Sequence, residues 1–188
     1  MLVQNFLIGA VLGLALLGAE AQGFAVRTRT ITELEMGPVK FLEIQHGEET
    51  FSLVPPSDWR LETDASLATL RFYAPKGGGV LTLQFCHAHA SEALATAETL
   101  KKSTVPHLGE ARVLEEFPAY AGDKTGKGID LSHTLHGHAM RVRAAVIGLG
   151  HGYASFVLNC GVNDFKTSQQ VFGSLLSSFQ RTPTPVAR

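Results

Sequence analysis

Three histidines lie close together in the sequence near a predicted hairpin turn. His136 and His138 are separated by one residue, and His133 precedes His136 by three positions. Two imidazoles separated by one residue share a side of an extended segment, and zinc and copper sites use such pairs. The sequence therefore predicts a Zn or Cu site at His133, His136 and His138. In the alternative interpretation, His136 and His138 are solvated turn residues and His133 is a half-buried side chain.

The other histidines are placed differently relative to this turn. His87 and His89 have the same spacing and would join the site if the end of their strand lies alongside. His151 follows the opposite end of a strand of about ten residues, which is roughly 30 Å away at about 3.3 Å per residue. We therefore exclude His151 from the predicted metal site.

Two arginines alternate along the strand that follows the turn. Arg141 and Arg143 point away from the apolar set that contains Val142 and Ala144. We expect them on the outer face of the strand, either exposed or beneath the first helix. The guanidinium fork suits carboxylates and other anions, so Arg141 and Arg143 are the predicted partner-binding residues. The alternative is a solvated or salt-bridged face.

No set of residues has the spacing of a catalytic site. The Gly-x-Ser-x-Gly nucleophile elbow does not occur in the sequence. Cys86 and His87 are adjacent on a predicted strand, so their side chains diverge and do not form a nucleophile–base pair. Glu115 and Glu116 also point to opposite faces, whereas acid–base catalysis needs two carboxylates facing one cleft. We therefore expect no enzymatic activity.

The two cysteines are predicted to remain separate. Alternation places Cys160 with the inward residues of its strand, and it places Cys86 opposite to the apolar set of its own strand. An oxidising compartment would permit a disulfide. The opposed orientations favour two separate thiols instead, because a disulfide needs the two Cβ atoms to approach closely.

A three-stranded antiparallel meander must position the histidines and arginines. Period-2 alternation from residue 128 to 160 predicts the strands, and glycines at His136-Gly137 and at residues 148–152 suit the turns. The residues expected to face the core together are Ile129, Leu131, His133, Leu135, Met140, Val142, Ala144, Val146, Ala154, Phe156, Leu158 and Cys160.

An amphipathic helix is expected to pack on the meander. Asn163-Asp164 offers an N-cap, and apolar residues recur at helical spacing from Phe165 to Phe179. One apolar sheet face and one apolar helix stripe make a two-layer core. Gly173 inside this helix costs roughly 1 kcal/mol relative to alanine, so we expect a close packing contact there.

Earlier segments predict further strands and one more helix. Strands are expected at residues 51–54, 68–72, 81–85 and 113–117, and a helix is expected at residues 91–103. Residues 121–127 are expected to form a mobile surface loop. Residues 22–49 have β character in places and are interpreted as an extended lead-in that lies on the domain.

Composition describes one ordinary globular domain with an export segment. The chain has 188 residues, 45% of them hydrophobic, and a formal charge of −1, so nothing indicates binding to nucleic acid. An apolar run from Phe6 ends at Ala19-Glu20-Ala21, a small-x-small cleavage pattern. We therefore predict a signal peptide at residues 1–21 and a periplasmic or secreted protein, whose membrane contact would come only from an uncleaved signal.

The order of elements resembles a known superfamily. The pattern Phe51-x-Leu53-x-x-Pro56-x-x-Trp59 precedes two hairpin strands, and the helix, the meander with Gly128 and the terminal helix follow. This resembles the Mog1/PsbP-like α/β/α sandwich superfamily over residues 50–181, with a tail at 182–188. The resemblance implies an α/β (α+β) single domain with a mainly antiparallel sheet and two main helices.

The resemblance also implies a class of function. Members include an extrinsic photosystem II subunit, a nuclear Ran-binding factor, bacterial lipoproteins and envelope proteins, and secretion-effector chaperones, which share no single ligand. It implies an exported, non-enzymatic binding or accessory module of the cell envelope, with a protein or envelope component as partner and no cofactor. The alternative is a histidine-dependent metal-binding protein that holds Zn or Cu.

Overall fold

The computed structural model describes residues 23–33, 37–86, 97–104 and 111–182. The strands are β1 (Phe24–Glu33), β2 (Gly37–His46), β3 (Glu49–Leu53), β4 (Arg60–Asp64), β5 (Thr69–Tyr73), β6 (Gly79–Cys86), β7 (Arg112–Ala121), β8 (Lys124–Leu135), β9 (His138–Leu149), β10 (Gly152–Gly161) and β11 (Gln180–Thr182). The helices are α1 (Ala97–Thr104) and α2 (Phe165–Ser178). The predicted signal peptide, His87, His89 and the predicted start of the first helix lie outside the described residues.

The described strands form two antiparallel sheets. The larger has the strand order β4-β5-β6-β10-β9-β8-β7, and the smaller has the order β1-β2-β3-β11. The predicted meander is confirmed as β8, β9 and β10. The turn lies at His136-Gly137, so Leu135 pairs with His138 and His133 pairs with Met140.

The central strands of the larger sheet are buried on both faces. Phe156 and Leu158 of β10 lie on the face covered by α2, in a core with Phe172 and Leu175. Val142 and Ala144 of β9 lie on the opposite face, in a core with α1. The prediction that these strands turn one common apolar set toward one helix is therefore wrong.

The register explains this difference. Leu158 of β10 is directly opposite Arg143 of β9, and Phe156 is opposite Ala145. Opposed residues of an antiparallel pair share a face, so the arginine set of β9 faces the same way as the apolar set of β10. Alternation divides the side chains of a strand into two sets, one on each face. When both faces are covered, alternation does not show which helix each set contacts.

The smaller sheet closes the main core next to α2. Leu42 and Ile44 of β2 and Phe51 of β3 are fully buried there. The rings of Phe51 and Phe179 stack with their centroids 5.3 Å apart, and Phe156 meets Phe179 edge-on at 5.2 Å. These aromatic contacts join the smaller sheet to β10 and to the end of α2.

Two segments differ from their predicted form. The predicted lead-in at 22–49 contains a hairpin of two ten-residue strands, β1 and β2. The predicted loop at 121–127 is the turn and beginning of a regular hairpin, in which Ala121 of β7 pairs with Lys124 of β8. Gly122 lies in the turn, and Gly126 lies where β8 and β9 approach each other closely.

The two cysteines are free, as predicted. Cys160 is buried on the face of α2, where burial raises the pKa of its thiol to about 11. Cys86 is half-buried and pairs with Tyr153 on the other face. No helix in the described part of the chain is long and apolar enough to cross a membrane.

Gly173 lacks the close contact that we expected. It is exposed, and a Cβ built on it would meet no heavy atom within 4 Å. The expected packing reason for glycine in α2 is therefore wrong.

Replacing Gly173 with alanine is expected to raise the free energy of unfolding by about 0.5–1 kcal/mol. Alanine loses less conformational entropy than glycine in a helix and meets no steric conflict at this position. Urea titration of both proteins would measure the change. A loss of stability in the Gly173→Ala variant would contradict the open environment of this residue.

Candidate functional site

The two arginines of β9 lie beneath α2. The side chain of Arg143 is 12% exposed, and its Nε is 3.5 Å from Oδ1 of Asp130 on the neighbouring strand. Asp130 is directly opposite Arg143 in the register and is itself buried. Arg143 therefore neutralises a buried carboxylate.

Aromatic rings enclose the same guanidinium groups. The guanidinium carbon of Arg143 is 4.1 Å from the ring centroid of Phe117 on β7 and 6.0 Å from that of Phe172 on α2. That of Arg141 is 4.6 Å from the ring of Phe165, the first residue of α2. Cation–π contacts of this kind attach the helix to the sheet.

The ion pair is only partly satisfied by hydrogen bonds. Within the described part of the chain, Oδ1 of Asp130, Nη1 of Arg143 and Nε of Arg141 are buried and have no hydrogen-bond partner. Burial raises the pKa of Asp130, and Arg143 opposes that effect. The group is therefore a costly internal polar cluster, and the prediction of an outer-face location for Arg141 and Arg143 is wrong.

The three histidines of the predicted metal site have different environments. His133 is buried on the face of α1, and burial lowers the pKa of its imidazole. His136 lies in the turn with a positive φ of 49°, and His138 is exposed at the start of β9. Among the described residues no three His, Cys, Asp or Glu side chains gather as a metal site, so the predicted convergence is not found.

Calorimetry can test whether this hairpin binds a metal ion. We expect isothermal titration with zinc to show no binding at micromolar concentrations, because one histidine is buried while two are solvated. Binding heat that disappears in a His133→Ala variant would contradict this expectation and restore the predicted site. His151→Ala is the matched control, since His151 lies in the opposite turn.

A cavity of about 50 Å³ lies where the smaller sheet meets the ends of two hairpins. Its lining includes Glu49, Lys124, Gly150 and Arg181. Glu49 is buried, and its Oε1 is 3.2 Å from Nη2 of Arg181. The volume suits one or two waters and is far below the several hundred Å³ that a small organic ligand needs.

The smaller sheet carries a projecting ribbon, which we define as residues 28–32 of β1 and 38–41 of β2. Strand β3 pairs with β2 only between Leu42 and His46, so the ribbon extends beyond β3. The side chains of residues 28–32 are all exposed. A two-stranded ribbon with exposed residues on both faces gains little stability from the core.

One face of the ribbon combines apolar and charged residues. Ile31 is directly opposite Val39, and Arg29 is opposite Phe41, so these four share a face. Ile31 is 50% exposed, while Val39 and Phe41 are half-buried. Arg29 forms an ion pair with Glu43 at 2.9 Å on the same face. An exposed apolar strip beside charged groups has the composition of a protein-binding surface.

Sequence reasoning did not identify this surface. The signals for the hairpin are present, because five of the seven residues at 26–32 are β-branched and Gly37-Pro38 precedes a second apolar stretch. Proline lacks an N–H and is tolerated where a strand has a free edge, as Pro38 does beyond the end of β3. A search for paired strands in 22–49 would have placed Ile31 and Val39 on one face.

Comparisons with known proteins bear on this architecture. No protein-family model and no curated protein matches the sequence. The solution structure of cyanobacterial PsbP (CyanoP) from Synechocystis sp. PCC 6803 is similar over 88% of this chain and 99% of that chain, with a TM-score of 0.54 and 13% identity. The crystal structure of LpqN, involved in cell envelope biogenesis of Mycobacterium tuberculosis, is similar over 84% and 92%, with a TM-score of 0.53 and 14% identity.

The chain has the Mog1/PsbP-like fold. The predicted fold class, a sheet-dominated α+β domain with two helices, is confirmed. A longer chain from Bacteroides thetaiotaomicron VPI-5482 is similar over 71% of this chain and 45% of its own length, with 14% identity and a TM-score of 0.49. At these identities the Mog1/PsbP-like likeness concerns architecture, and the binding partner has to be argued from this chain's own surface.

Proposed function

We propose that the protein is an exported, non-catalytic binding module of the cell envelope. The observation that carries the proposal is the projecting ribbon, which presents Ile31, Val39 and Phe41 outside the core. The exposed part of this apolar strip does not pack on its own chain, and covering it with a partner lowers the free energy. The partner is a protein or another envelope component.

Two further features support an envelope location. The apolar run that ends at Ala19-Glu20-Ala21 has the pattern of a secretory signal. LpqN, one of the proteins of similar fold, is involved in cell envelope biogenesis. Cleavage after Ala21 would place the mature N-terminus two residues before β1 and would leave the ribbon intact.

The buried charges also fit a binding module. Arg141 and Arg143 contact aromatic rings of α2 or of β7, and Arg143 neutralises Asp130. These arginines thus lie inside the scaffold, whereas the ribbon is the part of the described chain that projects from it. Binding energy at such a surface is expected to concentrate in a few apolar residues.

Affinity capture from the protein's own cell envelope tests the proposal. We expect the mature protein to retain an envelope component and an Ile31→Glu variant to retain it at least about tenfold less, because an apolar contact is replaced by a charge. Leu67→Glu is the matched control, since Leu67 is 40% exposed at a position remote in sequence from the ribbon. Equal retention by all three proteins, or no retained component, would contradict the proposed role of the ribbon.

A further inference from the structure

The outer edge of β1 is a long, regular strand edge. Among the described residues only β2 pairs with β1, and that pairing runs without a shift over all ten residues. The backbone N–H and C=O groups on the other side of β1 therefore have no strand partner in the described part of the chain. Such an edge is a template for another strand.

The other sheet edges have features that discourage strand addition. Edge strand β4 has five residues and β11 has three. Edge strand β7 is interrupted between Val113 and Glu115 by a register shift and contains Pro118. Short strands, bulges and prolines are three of the usual protections of an edge, and charged side chains are another. Strand β1 has none of these three protections, so its edge differs from the others.

The sequence of β1 is complementary to itself in one antiparallel register. With Thr30 opposite Thr30 of a second copy, Thr28 lies opposite Thr32 and Arg29 opposite Ile31. Arg27 then lies opposite position 33, which is a glutamate in the sequence. Threonine pairs and pairs of opposite charge both stabilise antiparallel strands.

Neighbouring registers are less favourable. A shift that centres the pair on Arg29 sets two arginines directly opposite each other, which is repulsive. A shift that centres the pair on Ile31 sets position 33 opposite Arg29, whose Nε already forms a 2.9 Å ion pair with Glu43. The described structure contains no ion pair of Arg27, so the Thr30-centred register adds a new charge pair and disturbs none.

We infer that the protein forms a two-fold symmetric dimer in which β1 pairs with β1 of a second copy. The two four-stranded sheets become one eight-stranded sheet across the dimer axis. A two-fold antiparallel pairing keeps corresponding faces on the same side. The apolar strips of the two ribbons then form one continuous surface, twice the width that a single chain presents.

A charge exchange tests the dimer in the full mature chain. Sedimentation equilibrium across a concentration series is expected to show a dimer for the natural protein. The Arg27→Glu and Glu33→Arg variants are each expected to dimerise about tenfold less tightly, because two attractive pairs become repulsive. The double variant restores opposite charges and is expected to dimerise like the natural protein.

Two outcomes of that experiment would overturn the inference. A natural protein that stays monomeric at the highest concentration excludes the dimer, and a double variant no tighter than either single variant excludes the register. Circular dichroism and a thermal melt of each variant show that it is folded. Ile31→Glu leaves the two pairs between Arg27 and position 33 unchanged, so this variant is expected to keep the dimer while losing the proposed partner.

Disulfide trapping tests the register independently. Directly opposed residues of an antiparallel pair have Cα atoms about 4.5–5.5 Å apart, so Thr30→Cys is expected to form an intermolecular disulfide on mild oxidation. Ile31→Cys lies two residues from its symmetry mate, about 7–8 Å away, and is expected not to. The natural protein, with Cys86 and Cys160, is the control. Cross-linking at Ile31 alone, or at neither position, would overturn the Thr30-centred register.

Discussion

Replacing Gly126 with alanine is expected to lower the free energy of unfolding by about 3 kcal/mol. A Cβ at this position would lie deep inside contact distance of the carbonyl oxygen of Val146 and 2.8 Å from Cδ1 of Ile147. Both belong to β9, which pairs with β8 at this point, and a backbone oxygen cannot move away without breaking the ladder. Overpacking that forces the backbone to shift costs 1–3 kcal/mol or more, and this site is at the upper end.

The matched control lies on the neighbouring strand. A Cβ at Gly148 meets nothing within 4 Å, so Gly148→Ala is expected to change stability by less than about 0.5 kcal/mol. Urea denaturation followed by circular dichroism measures the free energy of unfolding of the natural protein and of both variants. Equal stabilities for Gly126→Ala and the natural protein would show that β8 and β9 do not approach as described.

Removing the carboxylate of Asp130 is expected to destabilise the protein by about 3 kcal/mol at neutral pH. Asp130→Ala removes the oxygen atoms that face the guanidinium of Arg143 beneath α2. A buried donor that loses its acceptor costs about 1–3 kcal/mol, and we expect the upper end because the donor is charged and its side chain is only 12% exposed. Asp123→Ala is the control, since its side chain is 80% exposed and its ion pair with Lys124 is worth less than about 1 kcal/mol.

The pH dependence of Asp130 has a defined sign. Burial raises the pKa of this carboxyl above its ordinary value of 3.8, so the folded chain holds the proton to a higher pH than the unfolded chain does. The resulting stabilisation is fully present below that ordinary value and is lost as pH rises through the raised pKa. The stability difference between the natural protein and Asp130→Asn is therefore expected to fall as pH rises from about 4. A stability difference that grows as pH rises would contradict the conclusion that burial raises the pKa of Asp130.

The order of elements follows from the sequence because turns and periodicity are local signals. The glycine of the His136-Gly137 turn and apolar residues at period 2 predict β8, β9 and β10 without any tertiary information. The assignment of faces fails at Arg143 because its side chain lies on a buried face. A charged residue at an alternating position usually faces solvent, but Asp130 and Phe117 make this position an internal one.

The candidate site depends on long-range information that local patterns do not contain. How far the ribbon projects depends on where β3 ends relative to β2, and that is a property of register between separate segments. The histidines show the same limit. Spacing places His133 and His138 on one side of a hairpin, but it does not show that the first is buried and the second solvated. Gly173 is a local case. Helix propensity indicates that a glycine inside α2 destabilises the helix, and the close packing contact that we expected to compensate for this is missing.

We propose that an envelope partner binds at the projecting ribbon. Site-specific photo-crosslinking in the protein's own cells tests it most directly, with a photoreactive residue at Val39 on the ribbon and, in a separate variant, at Tyr120 on exposed β7. We predict a covalent adduct with an envelope component from position 39 and none from position 120. An adduct from position 120 alone, or from neither position, would contradict the assignment of partner binding to the ribbon.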